Sequence, residues 1–186
     1  MSQSGMKKSF ISTNQCVAMA VGTALYAALT IPFYVYQIPS AGGLISIGPT
    51  VVIPMLFGFV FGPLTGFVTG FVGKVLSDYL ALGGSSWNWD IANGLLGAIP
   101  GLGYYVVRRT DWTKARTLAL AAALSVVASV LGTAFAVLAD YSFGLTTLEA
   151  GLVRFYSVGG TDAINGLIIT PIVLYAYARA TAGRAR

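Results

Sequence analysis

The sequence predicts an all-α membrane protein, with six transmembrane helices in one integral membrane domain over residues 1–186 and both termini cytoplasmic. Three observations carry that prediction. Hydrophobic residues make up 56% of the chain and charged residues 9%, where a soluble domain carries roughly 25% charged residues. The apolar residues gather into runs near the length that spans a bilayer, about 20 residues. Nine of the eleven basic residues fall in three places: Lys7 and Lys8; Arg108, Arg109, Lys114 and Arg116; and Arg179, Arg184 and Arg186. With six spans between them, all three clusters land on the same side, which is the positive-inside pattern.

The first run covers 15–36 and is closed by Gln37 and Pro39. It lacks a small-residue cleavage site and is long enough to span, so it reads as a retained helix and not a signal peptide. Ala20, Ala24 and Ala28 recur along it at steps of four, with Ala18 and Gly22 as a second row. Small residues at this spacing make a flat stripe for close helix packing, either within the chain or against a separate membrane protein.

A Gly/Pro/Ser loop, "IPSAGGLISIGP", comes next. The second run, 50–61, is short for a span and contains Pro54. "FGPLTG" then turns the chain into the third run, 64–82, which carries Lys74 and Asp78. At about 1.5 Å per residue Lys74 lies ~15 Å from the start of its helix, near mid-membrane. A lysine there costs at least about 2.5 kcal/mol unless paired or hydrated. Asp78, one turn on, supplies a pair. Two readings stand, a structural ion pair or the wall of a hydrated pocket, and both require the pair to face inward.

"GGSSWNW" reads as a polar, aromatic loop. The fourth run is 91–107 with Pro100 inside it, the fifth 117–139 and the sixth 161–177, while the mixed segment 140–158 is expected to fold back at the interface. The loops opposite the basic clusters hold only Arg154.

A short pattern occurs twice. "WNWDIANGLLG" and "GTDAINGLIIT" each place an Asp three residues before Asn-Gly-Leu: Asp90 and Asn93, then Asp162 and Asn165. Each Asp reads either as a helix N-cap or as part of a site. Each Asn is either interhelical glue or faces a polar cavity. Around them Tyr79, Trp87, Trp89, Tyr141, Phe143, Phe155 and Tyr156 form an interfacial aromatic belt, or a stacking site for a planar ligand with Asn88, Asp140 and the two acid–amide pairs as its polar groups.

Several function classes fall away. The net charge of +5 is spread as a topology signal and not as a nucleic-acid face. With no histidine, imidazole metal ligands and histidine general bases are absent. Cys16 is the only cysteine, so no intrachain disulfide forms. No GxxxxGK[ST] phosphate-binding loop occurs, so uphill transport would need separate ATPases. No metal or cofactor is expected.

The stretch "IGPTVVIPMLFGFVFGPLTGFVTGFVGKVLSDYL" resembles the second and third helices of the substrate-binding S component of energy-coupling factor (ECF) transporters, through Pro49, Pro54, Gly58, Phe61, Gly62, Pro63, Gly66, Gly70 and Asp78. Ala24 and Ala28 match the family's AxxxA motif. The resemblance covers nearly the whole chain. It implies a subunit that binds a vitamin or related micronutrient from outside, docks through helix one on a transmembrane coupling (T) protein driven by two cytoplasmic ATPases, and topples to carry its substrate across. It places the substrate near the outer side, walled by helices four to six and closed by the loop 38–49, with Gly42 and Gly43 as its hinge.

The family's nickel and cobalt members use an N-terminal histidine, which this chain lacks. "AGGLISIGP", together with the Gly-Pro, glycine, Asp and Trp positions downstream of it, looks most like the subgroup linked to pyrimidine thiamine precursors and pyridoxine-type molecules, and riboflavin carriers share much of it. The substrate-binding candidates are Lys74, Asp78, Trp87, Asn88, Trp89, Asp90, Asn93, Asp140, Tyr141, Tyr156, Asp162 and Asn165, and the docking candidates Ala20, Ala24 and Ala28. The rival readings are a small intramembrane enzyme using Asp78, Asp90 or Asp162, and a membrane adaptor without transport.

Overall fold

The computed structural model describes residues 11–35, 37–40, 43–46, 48–107 and 114–182. Lys7, Lys8, Gly42, Arg108, Arg109, Arg184 and Arg186 lie outside the described residues. Helix α1 (Thr13–Thr30) opens on a capping box, in which Gln15 N donates to Ser12 Oγ and Ser12 N donates to Gln15 Oε1 at 3.0 Å. It tightens at Pro32 into a 3-10 turn, Ile31–Val35. Strands β1 (Gln37–Ser40) and β2 (Gly43–Ser46) then pair antiparallel, Gln37 opposite Ser46 and Ser40 opposite Gly43. A hairpin thus stands where the sequence predicts a loop. Strands of four residues, one containing a proline, carry too little alternation to be read as a hairpin.

A 3-10 turn at Pro49–Val51 leads into α2 (Val52–Phe61). The chain reverses at Gly62, whose φ of 105° is a conformation that side chains resist. Pro63 starts α3 (Pro63–Leu82), where its missing N–H costs nothing. Helix α4 (Trp87–Gly101) begins at Trp87, earlier than the predicted 91, with Ser86 as its N-cap. It breaks just after Pro100, and α5 (Gly103–Val107) continues. Helix α6 runs Ala115–Ser142. Within the segment expected to fold back, the chain does reverse, at residues 143–147. Its first residues extend α6, and after the turn α7 (Leu148–Arg154) packs back against α6 and passes through a π turn (Phe155–Gly159) straight into α8 (Gly160–Ala182).

Among the described residues three helical stretches are long and apolar enough to cross a membrane: Thr13–Tyr34, Ala115–Ser142 and Leu148–Thr181. Helix α2 is apolar but shorter. The outside of the bundle is greasy, with Leu25, Leu29, Leu131, Leu167, Ile168 and Ile172 exposed, while Thr65, Thr69, Ser125, Ser129 and Thr170 are fully buried. In water that arrangement would be inverted. In lipid it is the expected one, because small residues let helices approach closely; the hydroxyls of Thr65 and Ser129 bond to carbonyls one turn back in their own helices.

Helices α3 and α4 meet backbone to backbone. A Cβ added at Gly66 would overlap the Gly97 carbonyl, and one at Gly97 the Gly66 carbonyl. Gly58 and Gly70 also face α4 backbone, so most of the glycine motif read in the sequence is scaffold.

The bundle has two distinct ends. At one, Gln15 Nε2 donates to the Phe61 carbonyl at 3.1 Å and the Phe61 and Tyr177 rings lie 6.5 Å apart. The start of α1, the α2–α3 turn and the end of α8 therefore sit together. Phe59, Val107, Ala121 and Leu174 form the buried cluster there. The end of α1, the end of α3, the start of α4 and the end of α6 gather at the opposite end, around a cavity.

Candidate functional site

The cavity holds about 270 Å³. Its wall is built from Tyr26, Thr30, Phe33 and Tyr34 of α1 and its 3-10 turn, Gly48, Thr50 and Val51 of the entry to α2, and Lys74, Asp78 and Leu82 of α3. Ser86, Trp89 and Asn93 come from α4 and its cap, Arg154 and Val158 from α7 and the π turn, and Asp162 from α8.

Helical spacing puts Lys74 and Asp78 on one face of α3, and Lys74 Nζ lies 2.6 Å from Asp78 Oδ1. The ammonium also donates to Tyr34 Oη at 2.7 Å, and that hydroxyl in turn donates to Asp78 Oδ1. Lys74 Nζ stands 5.1 Å from the centre of the Tyr34 ring. The pair faces inward, as it must. Asp78 is nearly sealed, with its side chain 7% exposed, while that of Lys74 keeps 18%.

A second bond ties α1 to α4. Tyr26, fully buried, donates its hydroxyl to Asn93 Oδ1 at 2.5 Å, and Asn93 Nδ2 donates to the Trp89 carbonyl at 2.9 Å. Trp89 is held by Asp140, whose Oδ2 accepts from Trp89 Nε1 at 2.9 Å and from Arg154 Nη1 at 3.1 Å. Asp140 Oδ1 accepts from Asn88 Nδ2 at 2.8 Å, and the same amide reaches the Ala136 carbonyl at 2.9 Å. One carboxylate of α6 thus orients a tryptophan and an asparagine of α4 and an arginine of α7.

The sequence-predicted candidates divide cleanly. Lys74, Asp78, Trp89, Asn93 and Asp162 line the cavity. Asn88 and Asp140 lie behind its wall as the network that aims Trp89. Asp90 is buried in the first turn of α4, and its Oδ1 has no hydrogen-bond partner. It is not an N-cap, since Ser86 holds that position once the helix starts at Trp87. Asp162 is not an N-cap either, because α7 and the π turn run into α8 without a break and satisfy its backbone amides. Asn165 is outside the wall and donates to the Gly48 carbonyl at 3.3 Å, tethering the chain beside the hairpin.

The repeated acid–amide pattern is therefore one motif in sequence and two in space. Trp87, Tyr141 and Tyr156 are 50%, 51% and 72% exposed and point outward, as do Tyr79 and Phe143. Trp87 packs edge-on against Phe135 and Phe143. Ala20, Ala24 and Ala28 are exposed, whereas Ala18 and Gly22 are buried, Gly22 against Phe57 and Thr69.

Tyr26, Thr30, Phe33, Tyr34, Thr50 and Arg154 are wall residues that the sequence does not single out as a site. Two signals point to some of them. Tyr26 and Tyr34 are hydroxylated rings within an otherwise apolar run, and Arg154 is the lone charge of its kind in the loops opposite the basic clusters. Among the described residues no three acid or thiol groups are placed to hold a metal ion.

A lipid-facing helical bundle with a ligand-sized, aromatic and polar cavity at one end defines a membrane-embedded binding protein. The family model described as "ECF-type riboflavin transporter, S component" matches residues 10–179, and the chain belongs to that family. The family is one of transporter substrate-binding subunits and not of enzymes. A UPF0397 protein of Streptococcus thermophilus is 32% identical over 96% of this chain and 97% of its own length. One of Lactobacillus acidophilus is 29% identical over 93% of each. A UPF0397 protein of Streptococcus gordonii is 39% identical, but there the match spans about half of either chain, 52% of each. No solved structure matches the chain.

Proposed function

We propose that this chain is the substrate-binding subunit of an ECF-type importer in a prokaryotic cell membrane, a single multi-pass unit of six spans with cytoplasmic termini. Its ligand is a small heterocyclic vitamin or precursor: a pyrimidine thiamine precursor, a pyridoxine-type compound or riboflavin. The observation that carries this reading is the cavity of about 270 Å³ at the bundle end away from the start of α1 and the end of α8. Ligand pockets run from about 300 to 1,000 Å³ and combine apolar rings with a few placed polar groups. This one falls just below that range, the size for a small ligand, and has rings from Phe33, Tyr34 and Trp89 beside Lys74, Asn93 and Asp162. The β1–β2 hairpin comes directly after the α1 turn that supplies Tyr34 and serves as the gate.

The importer is completed by a T protein and two ATPases, with Ala20, Ala24 and Ala28 as the docking face. Their exposure on α1, against the buried Ala18 and Gly22, supports that assignment. Mass spectrometry of the molecule that co-purifies with the detergent-extracted protein, followed by titration of that molecule into the stripped protein, tests the reading. A stoichiometric aromatic heterocycle recovered unchanged is the expected result. Turnover of the bound molecule, or a protein that binds none of the three ligand types, would overturn it.

A further inference from the structure

The charges around the cavity do not balance. Four charged side chains line it: Lys74, Asp78, Arg154 and Asp162. Lys74 is bonded to Asp78 at 2.6 Å, and Arg154 to Asp140, just behind the wall, at 3.1 Å. Asp162 is left. It is 8% exposed, forms no ion pair with any described residue and faces the cavity. The field of Lys74 reaches it, but that ammonium is already committed to Asp78 and to the Tyr34 hydroxyl. No second basic side chain in the wall is left to serve Asp162, since Arg154 is bonded to Asp140. A buried carboxylate without a partner is costly, most of all within a membrane domain.

We infer that the ligand itself completes this site, by bringing a cationic or N–H-rich group (an amino-substituted or positively charged nitrogen heterocycle) to Asp162. The inference rests on the cavity being the ligand site and narrows the proposed ligands within it. A charge-assisted N–H···carboxylate bond is about twice as strong as a neutral one. The aromatic rings of the wall favour the same ligand, because a cationic ring is attracted to an aromatic face. Both basic side chains in the wall are already paired, so an anionic or phosphorylated ligand finds no free cation. A neutral ring leaves Asp162 as it was, buried and without an ion-pair partner among the described residues.

Isothermal titration of the full-length protein in detergent with matched probes tests this. The pairs are pyridoxamine against pyridoxine, and 4-amino-5-hydroxymethyl-2-methylpyrimidine against its 4-oxo counterpart, with riboflavin as a neutral fused ring. The amino member of a pair is expected to bind at least about tenfold more tightly than its neutral partner, and in Asp162→Asn that preference is expected to shrink to about threefold or less. The same variant should melt no lower than the parent, since it loses an uncompensated buried charge. Asp162→Ser provides the same reading should the amide fold poorly. Equal or tighter binding of pyridoxine, the oxo-pyrimidine or riboflavin overturns the inference and leaves the proposed function standing, as does a preference that survives in both variants. Failure of every probe, amino and neutral, overturns both.

Discussion

Asn93 shows how much one side chain carries. Its amide accepts from Tyr26 and donates to the Trp89 carbonyl, which leaves one donor and one acceptor site for a ligand. Asn93→Ala is expected to weaken ligand binding and also to strand the buried Tyr26 hydroxyl, at a cost of about 1–3 kcal/mol in stability. Asn165→Ala removes a single 3.3 Å bond to Gly48 from a partly exposed position and should cost under about 1 kcal/mol. Denaturant titration in detergent, beside ligand titration, separates the two. The two asparagines look equivalent in sequence because each sits three residues after an Asp, and only packing makes one a cavity wall and the other a tether. Lys74 and Asp78 are legible as an inward pair from spacing alone. Tyr34, which bridges them, is not, since it is 40 residues from Lys74 in sequence. Asp78→Asn should destabilise by about 3–5 kcal/mol by leaving the lysine unpaired, and Lys74→Met added to it should recover much of that loss.

At the scale of elements, the contact between α3 and α4 depends on glycine. Gly66 and Gly97 each face the other's backbone with no room for a methyl group. Gly66→Ala and Gly97→Ala should each cost at least about 1–3 kcal/mol, because the helices have to separate or shift. Gly84→Ala, where nothing lies within 4 Å of the added carbon, should leave the melting temperature unchanged. The helix runs are readable from hydropathy, but their ends are not. The fourth helix starts at Trp87, with Ser86 in the N-cap position, and a polar, aromatic first turn carries no apolar periodicity to announce it. The hairpin and the π turn are equally hidden, the first by short strands and the second by a local change in hydrogen bonding that leaves no trace in composition.

For the whole molecule, α1 joins two surfaces. One face carries Tyr26 into the cavity wall, and the other presents Ala20, Ala24 and Ala28 outward. Ala24→Trp or Ala28→Trp is expected to abolish assembly with the coupling protein, measured by co-purification, while ligand affinity of the isolated subunit stays within about threefold of the parent. Loss of ligand binding with assembly intact would show that the stripe serves the fold and not the partner. Gly22→Trp offers the contrast: the added side chain meets Phe57 and Thr69, so the isolated subunit should lose folded yield.

Composition and periodicity by themselves determined that this is a helical membrane protein, where its apolar runs lie, and that Lys74 and Asp78 pair inside it. Those properties follow from local physics: apolar length, the cost of charge in lipid and the pitch of one helix. The tertiary structure alone decided which member of each Asp-x-x-Asn motif reaches the cavity, Asn93 from the first and Asp162 from the second, that Asp140 gathers Asn88, Trp89 and Arg154, and that the cavity's basic groups are already paired. Each of these compares groups on different helices, far apart along the chain. The energy of a buried carboxylate depends on which charges surround it in space, and no window of sequence contains that information.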